Sequence, residues 1–211
     1  MDSHCHLPLN QNEAGDTQTI IERALLSGVE HMLCVCVDLE TFDQILDISE
    51  KNGTVSGTVG THPNNEQGNK IPSVEDLISR GNNQTIVAVG ETGLDYFYGK
   101  DNISLQKEIL RTHIEAAMSL RKPLIIHCRE SASDIIDILH SENARDVGGI
   151  MHCFVESWEV AKQALDLGFY ISFSGIVTFK NAGDLREVAT KIPSDKLLVE
   201  TDSPWLAPIP H

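Results

Sequence analysis

The stretch Ile103-Ser-Leu-Gln-Lys-Glu-Ile-Leu-Arg-Thr-His-Ile-Glu-Ala-Ala-Met-Ser-Leu-Arg-Lys-Pro-Leu-Ile-Ile-His127 decides the fold. Ile103, Ile109, Leu110, Ile114, Ala117, Met118 and Leu120 recur mostly at three- to four-residue spacing, which predicts a helix over 103–121. Pro123 then opens a short apolar run near 123–127, read as a strand whose first residue tolerates the missing N–H. Upstream, Ile86-Val-Ala-Val-Gly90 is a second such run, near 85–90. A strand, a helix and a strand in succession make one parallel crossover unit.

The same alternation runs outward in both directions. Further strands are predicted near 2–6, 30–37, 54–60, 148–152, 169–173 and 197–201. Helices are predicted near 17–27, 40–51, 73–80, 132–142, 157–167 and 182–191, and Gly28, Gly53 and Gly168 follow three of them as C-terminal glycines. Eight strands alternating with seven helices define an α/β chain and predict a TIM-type (β/α)8 barrel. An open doubly wound sheet is the alternative, but no Gly-x-Gly-x-x-Gly follows the first strand. No linker or low-complexity tract interrupts the pattern, so residues 1–211 are expected to form a single domain. The segment Ser203-Pro-Trp-Leu-Ala-Pro-Ile-Pro-His211 carries no helical period, so the barrel is expected to lack its last helix.

Composition narrows the setting. No run approaches the roughly 18 apolar residues of a membrane span, and no secretory signal pattern opens the chain. A cytoplasmic, monomeric protein is expected. Five cysteines (Cys5, Cys34, Cys36, Cys128 and Cys153) are an odd set, expected as free thiols; of them Cys5, Cys128 and Cys153 are expected to face the barrel–helix interface as buried fillers. The net charge is −15, from 16 basic and 31 acidic residues. That excludes a protein that coats nucleic acid by neutralising phosphates. It leaves open an enzyme that grips one strand end locally.

Metal-ligand residue types recur where strands should end, and in a barrel those ends carry the active site. They are His4, His6, Glu91, His127, His152 and Asp202. His4 and His6 are one residue apart on a strand, so both face one way and can grip one ion. Glu91 has two oxygens and can bridge two ions, with His127 and His152 completing the second. Asp202 would ligate the first ion and act as general base. The plainer alternatives are a solvated loop acid for Glu91, core histidines for His127 and His152, and a turn cap before Pro204 for Asp202. Two divalent cations in such a site activate water and clamp phosphoryl oxygens. The imidazole-rich donor set favours Zn, Mn, Fe or Co over a site made for Mg alone.

The chain resembles the TatD family of metal-dependent deoxyribonucleases, within the amidohydrolase-like barrels. The resemblance rests on Asp2-Ser-His-Cys-His6, Gly60-Thr-His-Pro63, Gly90-Glu-Thr-Gly-Leu-Asp-Tyr96, Ile126-His-Cys-Arg129, His152-Cys-Phe154 and Glu200-Thr-Asp-Ser-Pro204. It implies two divalent ions (Mg, Mn or Zn) and 3′→5′ exonuclease action on DNA; single-stranded ends are the expected substrate, because a rim pocket cannot easily enclose a duplex. It also implies that His62 and Arg129 face the substrate phosphate. Asp95 is grouped with them, or orients a ligand or its loop. A turn role for His62 and a surface ion pair for Arg129 remain the alternatives, as does simple packing for Tyr96, Phe97 and Tyr98. His31, His113 and His140 are expected to be surface or packing residues.

Three departures from the family pattern stand out. Asn64-Asn65 replaces a frequent histidine after Pro63, the first strand is short, and the chain is C-terminally truncated relative to the family. A weakened seam between the first and eighth strands is therefore expected, with the ion held by His4 and Asp202 the emptier one. A hydrolase of an amide, ester or lactone on the same barrel is the alternative function, because the same metals would polarise a carbonyl.

Overall fold

The computed structural model describes residues 1–10, 15–64 and 71–211. Asn65, one of the departures noted above, lies outside them. Eight strands line up in sequence order, β1 to β8, with every adjacent pair parallel. They are β1 (Asp2–Cys5), β2 (Met32–Cys34), β3 (Val55–Val59), β4 (Ile86–Asp95), β5 (Leu124–Arg129), β6 (Gly149–Met151), β7 (Tyr170–Phe173) and β8 (Leu197–Val199). The α-helices between them are α1 (Thr17–Leu26), α2 (Phe42–Lys51), α3 (Val74–Gly81), α4 (Ile103–Leu120), α5 (Ala132–Ser141), α6 (Trp158–Asp166) and α7 (Gly183–Lys191). This is the TIM-like fold of the amidohydrolase barrels, and among the described residues no α-helix follows β8.

Local chemistry starts and stops the helices. The side chains of Asp16, Ser73 and Ser157 accept hydrogen bonds from the amides of Thr19, Asp76 and Val160, capping α1, α3 and α6. Gly28 and Gly168 follow α1 and α6 with φ of 89° and 87°, the left-handed conformation that ends a helix cheaply only at glycine.

The strands separate two apolar layers. On β5, Leu124 and Ile126 pack outward against the helices, while Ile125 joins Leu33, Val35 and Ala88 in a small separate cluster. The period of two along a strand makes that second cluster the filling of the barrel. Each fully buried Ile or Leu contributes about 1.5–3 kcal/mol through removal from water.

Two strands run further than the sequence indicates. β4 was expected to stop near Gly90 but continues to Asp95, and β5 continues past His127 to Arg129. Glycines make the extension of β4 feasible. Gly90 and Gly93 hold φ of 144° and 146°. A Cβ on Gly93 would lie 2.0 Å from the His127 carbonyl oxygen, and one on Gly90 2.6 Å from that of Ile125. The pairing register shifts between Val89 and Thr92, so β4 bends around Glu91 and resumes beside β5.

The seam between β1 and β8 is joined by one isolated bridge, Cys5 with Ser203, rather than a ladder. It is nonetheless well stitched at the rim. The Asp202 amide donates to the His4 carbonyl and the His6 amide to the Ser203 carbonyl, both at 2.9 Å. Asp2 accepts from the Thr201 amide at 3.0 Å and from the Thr201 hydroxyl at 2.6 Å. Backbone and Asp2 bonds thus hold the rim around His4 and Asp202, where β1 and β8 form no ladder.

The cysteines are free. Cys5, Cys34 and Cys36 are buried in the outer core, as expected for Cys5, while Cys128 and Cys153, expected to be buried as well, are only partly covered. Burial pushes the thiols of Cys34, Cys36 and Cys128 up to about 12, so they stand as protonated fillers. Among the described residues no helix is long and apolar enough to cross a membrane.

Candidate active site

Each expected ligand stands at the C-terminal rim of the barrel, directly above the Leu33–Val35–Ala88–Ile125 plug. His4, His6, Glu91 and His152 are buried, with His127 and Asp202 partly covered. The centre of the arrangement is Glu91, whose two oxygens face different groups of histidines. Oε2 lies 3.3 Å from His4 Nε2 and 3.9 Å from His6 Nε2. Oε1 lies 2.8 Å from His152 Nε2 and 3.1 Å from His127 Nδ1.

The first group closes on itself. His4 Nε2 and His6 Nε2 are 3.2 Å apart, and Asp202 Oδ1 lies 3.7 Å and 3.4 Å from them. A tetrahedral ion with bonds of about 2.0–2.1 Å needs ligand atoms about 3.3–3.4 Å apart. These separations therefore fit a shared divalent cation. In the second group, His152 Nε2 and His127 Nδ1 are 3.5 Å apart. Among the described residues, three clusters are of metal-ligand type: His4, His6 and Glu91, and His4, His152 and Glu200, both buried, and His62, Glu91 and His127, partly buried.

The atoms behind each ring decide what the front nitrogen offers. His6 Nδ1 faces the Val35 carbonyl at 3.2 Å, so it carries the proton and leaves Nε2 a lone pair. His127 Nε2 faces Asp95 Oδ2 at 3.2 Å, which leaves Nδ1 free to ligate. His152 Nδ1 lies 3.4 Å from Glu200 Oε1, a carboxylate set behind the ring without a formed hydrogen bond.

His62 is different. Its Nδ1 accepts from the Asn64 amide at 3.0 Å, and burial pushes its pKa down to about 3. A neutral ring has one proton, and here it must sit on Nε2. That N–H points into the second group, 3.3 Å from His127 Nδ1 and 3.5 Å from Glu91 Oε1. His62 is thus a hydrogen-bond donor at the mouth of the cluster, suited to an anionic oxygen.

Charges are set for this work. Burial pushes Glu91 up, but the imidazoles of His152, His62, His4 and His127 outweigh it and hold the carboxyl well below its usual range. Burial also opposes ionisation of Asp202, yet the His6 hydrogen bond and the nearby His152 and His4 keep it low. Both acids are therefore carboxylates at neutral pH.

Asp95 does not face the open rim. It is buried, and its Oδ1 accepts from the amides of Phe97 and Tyr98 at 2.9 Å each. Its Oδ2 takes both the His127 contact and a 2.6 Å bond from Asn64 Nδ2. It buttresses His127. Asn64 thereby turns inward to support Asp95.

Arg129 is half-covered, and its guanidinium lies 4.3 Å from the Phe97 ring centroid and 4.9 Å from that of Tyr98. Among the described residues no carboxylate pairs with it, which leaves its forked donors for a phosphate. Trp205 stands exposed at the opposite side, edge-on to the His6 ring at 5.4 Å.

Two supports were not anticipated from the sequence. Glu200 is buried behind His152 and also accepts from the Cys153 amide at 2.6 Å. Its signal was its position two residues before Asp202, on the same face of an extended segment. His113 is buried in α4, donates to the Ile109 carbonyl at 2.8 Å and accepts from the Thr61 amide at 3.0 Å. It is the packing residue expected, and it also holds the backbone next to His62.

A parallel barrel whose rim gathers buried imidazoles around shared carboxylates defines a metal-dependent hydrolase of the amidohydrolase-like class. The whole chain, residues 1–211, matches the family model described as TatD related DNase, and the chain belongs to that family. It is 43% identical over 213 residues to the uncharacterized metal-dependent hydrolase YcfH of Escherichia coli K12, covering 100% of this chain and 80% of that protein. It is 28% identical over 194 residues to the 3′-5′ ssDNA/RNA exonuclease TatD of Citrobacter koseri, covering 92% of this chain and 75% of that one. The crystal structure of YJJV, a TatD homolog from Escherichia coli, superposes with a TM-score of 0.87 at 26% identity. That match covers 98% of this chain and 80% of the other.

Proposed function

We propose that residues 1–211 form one catalytic domain that hydrolyses phosphodiester bonds at unpaired DNA ends, as a 3′→5′ exonuclease. The observation that carries this reading is Glu91, whose Oε2 faces His4 and His6 while its Oε1 faces His127 and His152. His4, His6, Asp202 and Glu91 would hold one divalent ion, and Glu91, His127 and His152 the other. Such a pair lowers the pKa of water and stabilises charge on a phosphoryl group.

The chain's own residues supply the rest. Asp202, a carboxylate at the edge of the first group, takes the proton from the attacking water. His62 donates its Nε2–H to a non-bridging phosphate oxygen. Arg129 clamps the same phosphate from the side of β5. Asp95 holds the His127 ring in the tautomer that keeps a lone pair forward, and the Glu200 carboxylate stands behind the His152 ring.

The substrate assignment is supported by the exonuclease activity for which the Citrobacter relative is named and by the His62 donor, which suits an anionic oxygen. The test is cleavage of labelled single-stranded DNA, RNA, esters and lactones by Mn-loaded protein, with and without chelator. Metal-dependent shortening of the DNA from its 3′ end is expected. Ester or lactone turnover without DNA cleavage would move the function to carbonyl chemistry.

A further inference from the structure

The run Tyr96-Phe97-Tyr98 divides in the structure. Tyr96 packs inward and donates to Asp134 Oδ2 at 2.5 Å, while Phe97 is 46% and Tyr98 69% exposed. The two outer rings meet edge to face at 4.7 Å, with the Arg129 guanidinium against both. Exposed rings with a planar cation beside them form a π surface that is open on its outer side.

This surface is fixed to the metal cluster by one carboxylate. Asp95 Oδ1 holds the Phe97 and Tyr98 amides, and Asp95 Oδ2 holds His127 Nε2. The Tyr96 amide also bonds the Arg129 carbonyl at 2.9 Å, and the Gly99 amide closes the turn on the Asp95 carbonyl at 3.2 Å. The rings therefore stand one side chain away from a proposed ligand, on a turn tied at both ends.

We infer that Phe97 and Tyr98 form a stacking shelf for the unpaired nucleobase beside the scissile phosphate, an inference that rests on the phosphodiesterase reading. Charge supports it. With a net charge of −15, the chain cannot draw its affinity from a wide field of cations. Base–aromatic stacking is local, tolerant of sequence and independent of that field. A base can reach the shelf only when free of its complementary strand, so the shelf selects single strands.

The test is a binding measurement in chelator, where no cleavage interferes. The probes are a fluorescein-labelled oligothymidylate hexamer and the same hexamer with abasic residues at its 3′ end. Wild-type protein is expected to bind the base-bearing hexamer about tenfold more tightly, within the range that stacking supplies. The Phe97→Ala/Tyr98→Ala variant, altered only at exposed rings, should bind both hexamers equally with an unchanged melting temperature. Equal binding of the two probes by wild type overturns the inference, as does a preference that survives in the variant. Cleavage assays separate the two claims. Base-dependent binding without cleavage by Mn-loaded wild type keeps the shelf and removes the phosphodiesterase; cleavage without base preference removes the shelf alone.

Discussion

Asp95 Oδ2 lies 3.2 Å from Nε2 of His127, on the far side of the ring from Glu91. Burial pushes the Asp95 carboxyl up, but bonds from His127, the Tyr98 amide and Asn64 hold it well below its usual range. A fixed anion behind a ligating imidazole sets its tautomer and raises its basicity. Asp95→Asn removes that charge and keeps the shape. We expect affinity for the ion held by His127 to fall by about ten- to a hundredfold, measured by metal titration calorimetry. Unchanged affinity would mean that Asp95 serves the turn alone.

His62 and His152 both point at Glu91 Oε1 but present opposite chemistry there. His62→Gln should leave the metal content unchanged and raise KM for single-stranded DNA, because it removes a donor to phosphate. His152→Ala should lose an ion. Elemental analysis of the two purified variants separates the roles; loss of metal in His62→Gln would make His62 a ligand.

The proposed general base is Asp202. Asp202→Asn keeps the side chain's size and one coordinating oxygen, so the fold and most of the metal should remain. Turnover should fall by about 10²–10⁴-fold, the usual contribution of a positioned base. The check is steady-state cleavage beside a thermal melt. Near-wild-type rates would transfer the proton to another group.

Buried His113 couples pH to stability. Burial holds its pKa down at about 4, against 6.5 for a free imidazole. The unfolded chain therefore binds a proton that the folded chain refuses between those values. Its contribution is fully present above about pH 6.5 and declines as pH falls towards 4. The loss amounts to about 3 kcal/mol at most. His113→Gln keeps an acceptor for the Thr61 amide without the titration. The variant should lose less stability than wild type between those pH values in urea melts. Parallel acid limbs would show that His113 is not the group responsible.

Much of this architecture is legible in the sequence because the physics involved is periodic. Runs such as Leu124-Ile-Ile126 and the α4 spacing announce strands and helices, and ligand types at strand ends announce the rim. What periodicity does not carry is harder to read. β4 passes Glu91 because Gly90 and Gly93 permit a bend and a close approach to β5, whereas glycines in a sequence read as a stop. The donor character of His62 depends on the Asn64 amide, and the loop after β3 has no pattern that reveals its path. Glu200 is masked by Asp202, the stronger ligand type two residues on, although that spacing puts both on one face of an extended segment. His113 continues the buried Ile109–Ile114 stripe of α4, so its burial was readable there.

The proposed chemistry requires Glu91 to join two ions. The most direct measurement is the Mn(II) content of the saturated protein by elemental analysis, together with its electron paramagnetic resonance spectrum. We predict two ions per chain with the exchange-coupled signal of a bridged pair, and loss of that coupling in Glu91→Ala. A single ion per wild-type chain, or two ions with independent spectra, would contradict it.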